Sequence, residues 1–447
     1  MNTKGNYKRY IHLFFISFFL FCFLILSFRG LSLHPDSNGY IDHSLTREPG
    51  YPLVIAFGKI LFSNNYQVFL IIIQVLIACV SAFYFCKTSA DVLKMDGLLL
   101  CILYIIIAIY YDFTSLFFPH WGQSMILTIL AEAIAYPLFL IYVALAIRTL
   151  FNRSYKHWIL ATLVCTLLFF VRHSSSYLFI VQLLSAIYLF HKTWKKIIVS
   201  ISIILLSVVI ATLGELLYFK ILIGSYTTRT FVPVNTMLNF LLLADETDIN
   251  NYQDELTREI FTKTYEEMNS QGYIMSEDRL SQSPIERAKY ISAAHDYVMF
   301  DIYQPIINEY FDEQGISSAL ERAKIEDQIS KEIYKPLVLK HFSQWIKGYI
   351  GIVISSFHAS ACAIDPPLRI MNVFSLSLYI IILVLLWIKR HNKDAVLLFS
   401  LVFLLVCGCI FSTSLFMHCL SRLVIYNFPI IYLLAIYLLH APKRSLS

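Results

Sequence analysis

Charge is what this chain has least of. Only 15% of its 447 residues are Asp, Glu, Lys or Arg, against about 25% in a typical soluble domain. Hydrophobic residues make up 58%, and the mean hydropathy is +0.65. A water-soluble core cannot absorb that much apolar side chain, so an ordinary soluble fold is excluded and the bilayer is the natural solvent. A concentrated basic patch is also lacking. The net charge of +5 is spread over the ends of apolar runs, which points to membrane orientation signals and away from nucleic acid. The nine cysteines show neither metal nor disulfide spacing. Cys22, Cys79, Cys101, Cys165 and Cys407 sit inside apolar runs, where cysteine packs as a small hydrophobe. Internal repeats and low-complexity tracts are absent. Midspan glycine and proline are scarce, Pro137 and Pro429 being the main cases.

What is present is a series of apolar runs. A spanning helix needs about 20 apolar residues. Ten runs qualify as candidates, at 10–28, 66–86, 98–118, 125–147, 158–171, 175–190, 197–219, 371–388, 395–415 and 422–440. The first follows Lys4, Lys8 and Arg9 and lacks a small-x-small cleavage site, so it reads as a retained anchor. With the N-terminus in the cytoplasm, sixteen basic residues of the short segments fall inside. They are Lys4, Lys8, Arg9, Lys87, Lys94, Arg148, Arg153, Lys156, Lys192, Lys195, Lys196, Lys389, Arg390, Lys393, Lys443 and Arg444. Five fall outside: Arg29, Arg47, Lys59, Arg172 and Arg422. That bias places both termini inside.

The expected architecture is an all-α, polytopic membrane protein. Residues 1–220 form an N-terminal module of about seven spans with a first outer loop at 29–65. Residues 221–370 form an extracytoplasmic helical segment, and 371–447 a C-terminal module of about three spans. Between 245 and 340 the chain carries twenty of its thirty acidic residues and only ten Lys or Arg, so this segment is soluble. Its apolar residues repeat at three and four positions, as in Ala319, Ala323, Ile325, Ile329 and Ile333. Ser283, Pro284 and Glu286 give a helix start with Ser283 as cap.

Carboxylates at bilayer depth cost several kcal/mol unless paired or wetted, which marks Asp112, Glu132 and Glu215 as functional candidates. Arg47, Arg172, His173, Lys220, Arg229 and Arg422 lie near the outer helix ends. Together they suggest an outward-facing cavity lined by carboxylates and cations. The first outer loop reads His34–Pro35–Asp36–Ser37–Asn38–Gly39–Tyr40, then Arg47–Glu48–Pro49–Gly50–Tyr51–Pro52. So many aromatic, Gly and Pro residues among charges suggest a rigid loop held against the membrane. Asp36 is placed to take a proton from a bound hydroxyl, and the planar fork of Arg47 matches phosphate oxygens.

This layout resembles the GT-C superfamily of membrane glycosyltransferases, in the bacterial branch related to protein mannosyltransferases and aminoarabinose transferases. The resemblance rests on Asp36 with Tyr40 and on the Arg47–Glu48–Pro49–Gly50–Tyr51–Pro52 turn. Glu132 opening the fourth span, Arg172–His173–Ser174–Ser175 closing the fifth, and Arg422 through Pro429 opening the last add to it. It implies inverting transfer of a sugar from a polyprenyl-phosphate donor to an extracytoplasmic acceptor, such as a surface glycan (O-antigen) or lipid A, in a bacterial inner membrane. The family's catalytic carboxylate carries over to Asp36 as general base. Arg47, Arg172 and Arg422 are expected on the donor phosphate, and Tyr40, Tyr51, His120, Trp121, Glu132 and His173 on the substrate. Some relatives hold a divalent metal with a second-loop carboxylate. The second loop here, Phe118–Pro119–His120–Trp121–Gly122–Gln123, has none, which leaves Asp112 and His120 as the substitutes and metal dependence open.

Two other readings compete. A polysaccharide polymerase or ligase also uses outer-face arginines and polyprenyl-linked substrates, but lacks the first-loop signature. A transporter or flippase calls for broken helices and matching halves, and the two halves of this chain do not match.

Overall fold

The computed structural model describes residues 3–28, 30–117, 124–230, 232–362, 369–415 and 421–441. Among them every named element is helical, apart from an isolated parallel bridge between Ser32 and Thr128. The chain passes through α1 (Thr3–Ser27), α2 (Gly50–Phe62), α3 (Tyr66–Val92), α4 (Gly97–Phe117), α5 (Glu132–Phe151), α6 (Tyr155–Val171), α7 (Tyr177–Phe190) and α8 (Trp194–Ile223). It continues through α9 (Val232–Leu241), α10 (Glu255–Ser270), α11 (Pro284–Tyr297), α12 (Gln304–Glu313) and α13 (Ala319–Cys362). It closes with α14 (Arg369–Ile388), α15 (Lys393–Ser414) and α16 (Phe428–His440). By length and composition, eight stretches can cross a membrane: Tyr7–Ser27, Gly50–Val92, Glu132–Phe151, His173–Phe190, Trp194–Ile223, Ile370–Ile388, Lys393–Ser414 and Arg422–His440. Gly97–Tyr111 and Tyr155–Val171 are shorter apolar helices. The chain is therefore a multi-pass helical membrane protein.

Burial sorts these helices into centre and rim. In α5 and in Arg422–His440, 78% and 83% of the apolar window is buried, whereas α8 and α14 bury 17% and 11%. Leu205, Leu206, Val209 and Ile210 on α8 are more than half exposed. Such a surface is stable only against lipid tails.

The fourth span begins later than the apolar run starting at 125 predicts. Helix α5 opens at Glu132, because the backbone of 127–129 bonds elsewhere. Ser32 N–H donates to Leu127 O at 2.9 Å, Ile129 N–H donates to Ser32 O at 3.0 Å, and the Ser37 hydroxyl donates to Ile129 O at 2.7 Å. These bonds tie the first loop to the start of α5. The apolar stretch after Pro49 is too short to span alone. It folds as α2 and runs through a turn at Ser63, φ 47°, into α3. Gly50 is required at the start of α2. A Cβ there would stand 2.8 Å from Phe170 O and Val171 Cα, so only glycine lets the loop rest on the end of α6.

The acidic segment is helical. Ser283 caps α11 through a capping box with Glu286, and Pro284 opens the helix. Helix α13 has 44 residues, about 66 Å at 1.5 Å per residue. Its charged first half packs with α10 and α12. Its apolar second half meets the membrane helices. Ser356 bonds Ser414, Ser360 bonds Asn427, and the Tyr432 hydroxyl donates to Ala361 O. Gly351 lets α11 rest on this same half, since a Cβ there would lie 1.8 Å from Pro284 O on α11. The helical segment is thus built onto one end of the bundle.

Candidate active site

Charged residues far apart in sequence meet at that end. Their cavity has a volume of about 430 Å³. The first loop contributes Asp36, Tyr40, Arg47 and Glu48, and the start of α5 contributes Glu132. Arg172 and His173 come from the turn after α6, Arg229 from the segment after α8, and Arg422 from the turn before α16. Each sits where a helix ends, because apolar helices leave charge only at their termini.

Two ion-pair networks run through the cavity. In the first, Arg47 Nη2 donates to Asp36 Oδ1 at 2.8 Å, and Arg422 Nη2 lies 2.8 Å from Asp36 Oδ2. His34 Nδ1 is 3.4 Å from the same Oδ2. Arg422 Nε reaches Glu132 Oε1 at 4.0 Å, and Glu132 also pairs closely with Arg172. Burial would raise the Asp36 carboxyl. The His34 hydrogen bond and the Arg422 and Arg47 charges outweigh it and hold the group well below the usual carboxylate range. Arg47 lies across Gly39, and its guanidinium sits 5.1 Å from the Tyr40 ring centroid.

In the second network Arg229 pairs closely with Glu48, and Arg229 N–H donates to Glu215 Oε1 at 2.9 Å. His173 Nε2 is 3.3 Å from Glu215 Oε2, and His173 N–H donates to Glu48 Oε1 at 3.4 Å. Burial raises Glu48, but Arg229, His173 and Arg172 bring it down to about 2. Thr230 N–H donates to Leu45 O at 3.1 Å, strapping this segment to the first loop. Some polar capacity is left over. Arg47 Nε, Arg229 Nε, Arg422 Nε, Glu132 Oε2 and Asn235 Oδ1 are buried without hydrogen-bond partners among the described residues. Buried groups of this kind normally find partners, so the cavity is built for a polar ligand.

The structure brings together Asp36, Tyr40, Arg47, Glu132, Arg172, His173 and Arg422. Tyr51, expected on the substrate, is fully buried. It stands under Tyr40, with ring centroids 5.4 Å apart, and its hydroxyl shares a 2.7 Å hydrogen bond with the Gln74 amide. Alternation along the loop could not show which of the two tyrosines faces in. His120 and Trp121 lie outside the described residues, and Asp112 is in α4 with its side chain outside the description. Glu48, Glu215 and Arg229 complete the site. Their charge at helix ends was visible in the sequence, but their pairing was not. The described carboxylates of the cavity do not suit a divalent cation, since Asp36, Glu48 and Glu132 are each held by a guanidinium.

A further array lies in the helical segment. Asp245, Asp248 and His341 place one ligand atom each within 4.8 Å of one another. Lys340 Nζ stands 2.8 Å from both aspartates and meets their charge. Compared with known protein families, curated proteins and solved structures, the chain shows no match.

Proposed function

We propose that this protein is a glycosyltransferase. It moves a sugar from a polyprenyl-phosphate-linked donor to a glycan or lipid acceptor on the extracytoplasmic side of a bacterial inner membrane. One observation carries the reading: four arginines and three carboxylates from five separate parts of the chain converge in one cavity at the end of an apolar bundle. A lipid phosphate donor needs that combination, with a membrane-embedded bundle for the tail and fixed cations for the headgroup. A volume of about 430 Å³ suits one sugar with its phosphate.

The chemistry follows from charge. As the bond between the sugar C1 and the phosphate oxygen breaks, negative charge grows on the leaving phosphate. Preorganised guanidinium donors aimed at that oxygen stabilise the transition state more than the ground state. Arg47, Arg172 and Arg422 supply them, and Arg229 is a fourth. Glu132 Oε2 is an acceptor for a sugar hydroxyl. Attack on the face opposite the phosphate inverts C1.

Mass spectrometry of surface glycans and lipid A, from cells with and without the gene, tests the reading. A single added hexose or pentose that depends on the gene is the expected result. A change in glycan chain length instead would favour a polymerase or ligase. An unchanged envelope would refute sugar transfer to these acceptors and favour transport.

A further inference from the structure

We propose that His173, backed by Glu215, is the base that takes the proton from the acceptor hydroxyl, and that Asp36 instead anchors Arg47 and Arg422. The assignment rests on the sugar-transfer reading above and concerns only which group moves the proton.

Asp36 is poorly placed to act as a base. Oδ1 accepts from Arg47 and Oδ2 faces Arg422, each at 2.8 Å, so both oxygens are engaged by guanidinium groups. A carboxylate held that way is weakly basic, and a general base works best when its affinity for the proton matches the task. What the arrangement does well is fix two arginines at a set separation.

His173 has the opposite surroundings. It directly follows Arg172, whose extended backbone turns the chain out of α6. Its ring stacks on Phe169, with centroids 4.6 Å apart at 20°. Nε2 faces the Glu215 carboxylate at 3.3 Å, and Glu215 is held by the Arg229 N–H. A carboxylate beside one ring nitrogen favours the tautomer protonated on that side, which presents the other nitrogen as an acceptor, as in the His–Asp pairs of hydrolytic enzymes. Nδ1 has no hydrogen-bond partner among the described residues, and the residue lines the cavity. The charged groups around the ring are Glu215 on α8, Glu48 on the first loop, Arg229 on the strap and Arg172 beside it.

A second observation concerns what the cavity receives. Asn235 is 6% exposed and lines the cavity, and its Oδ1 is buried without a partner. It calls for a donor such as a neutral hydroxyl. Thr230, Ser412 and Thr413 line the same cavity. An acceptor presenting several hydroxyls, as a sugar does, satisfies this set. In the step, the acceptor oxygen bonds to the sugar C1 as its proton passes to His173 Nδ1. The bond from C1 to the phosphate oxygen breaks, and its electron pair leaves with the phosphate toward Arg172 and Arg422. The imidazolium that forms is stabilised by Glu215.

The test uses membrane vesicles holding the full chain, with a labelled polyprenyl-phosphate hexose as donor and the envelope glycan as acceptor. Wild-type vesicles come first, and absence of transfer there counts against the sugar-transfer reading itself. Given wild-type transfer, His173→Gln is expected to lower kcat by about 100-fold or more, with donor KM changed less than about twofold. Added imidazole is expected to restore turnover to His173→Ala, an outcome that a merely structural role does not produce. Asp36→Asn is expected to raise donor KM and to lower kcat as well, because Arg47 and Arg422 lose the carboxylate that fixes them. Wild-type-like kcat in His173→Gln overturns the proposal. So does failure of imidazole to restore His173→Ala, and rescue of Asp36→Ala by added formate returns the base to Asp36.

Discussion

Replacing Glu132 by Gln removes one charge and almost no volume from the centre of the site. Its side chain is 2% exposed, pairs closely with Arg172 and stands 4.0 Å from Arg422 Nε. Arg422 keeps Asp36 at 2.8 Å, but Arg172 is left with Ser174 Oγ at 3.1 Å in place of a carboxylate. Two unit charges 4 Å apart are worth about 4 kcal/mol at an effective dielectric of about 20. Breaking a buried pair from one side costs about 3–5 kcal/mol, because a desolvated charge remains. Arg172 is 14% exposed to the cavity, so the low end applies and we expect about 3 kcal/mol. Arg172→Gln should cost a similar amount. The double variant should cost less than the sum, leaving a coupling of about 2 kcal/mol. Reversible SDS unfolding in mixed micelles measures all three. A coupling below about 0.5 kcal/mol would refute the reasoning, because the pair would then be fully solvated.

Three further predictions concern the supports of the site. Gly50→Val forces a side chain against Phe170 O and Val171 Cα, and should cost about 1–3 kcal/mol as overpacking while displacing Arg47 and Glu48. An equally stable variant with normal donor KM would show that the loop does not need this contact. Tyr51→Phe removes the hydroxyl's contacts with Gln74 and the Leu130 backbone, about 1 kcal/mol each, and should leave turnover nearly unchanged. A large fall in kcat would mean that Tyr51 touches substrate. Glu326, in the soluble half of α13, is raised to about 7 by burial and then by Asp327. Its folded form binds a proton more readily than its unfolded form, so stability is lost as pH rises from the ordinary carboxylate range to about 7. Glu326→Gln should therefore stabilise the protein above pH 7 by about 1–3 kcal/mol, with the gain shrinking toward pH 5. Equal gains at both pH values in a denaturant titration would contradict the shift.

Much of the scaffold could be read from residue order. The Ser283–Pro284–Glu286 start of α11 needs only four consecutive residues and was predictable for that reason. Arg172 and Arg422 stood out because an arginine beside a long apolar run has few other places to be. The start of α5 was not readable, because residues 127–129 are apolar enough for a helix and are drawn out of it by Ser32 and Ser37, over 90 positions away. Nor was Gly50, whose reason is the backbone at 170–171. The roles of Tyr40 and Tyr51 separated only once the loop was seen against Gln74 and Arg47.

By itself the sequence determined that this chain is a multi-pass helical membrane protein. Hydrophobic length and helix capping are properties of neighbouring residues, so they survive without a fold. It also determined which charges the bilayer would refuse and leave at helix ends. Only the tertiary structure decided how those charges combine. It joined Asp36 to Arg47 and Arg422, Glu132 to Arg172, Glu48 to Arg229, and His173 to Glu215. Every candidate carboxylate had several candidate partners at similar depth, and side-chain packing across as many as 386 positions of separation (Asp36 to Arg422) selected among them.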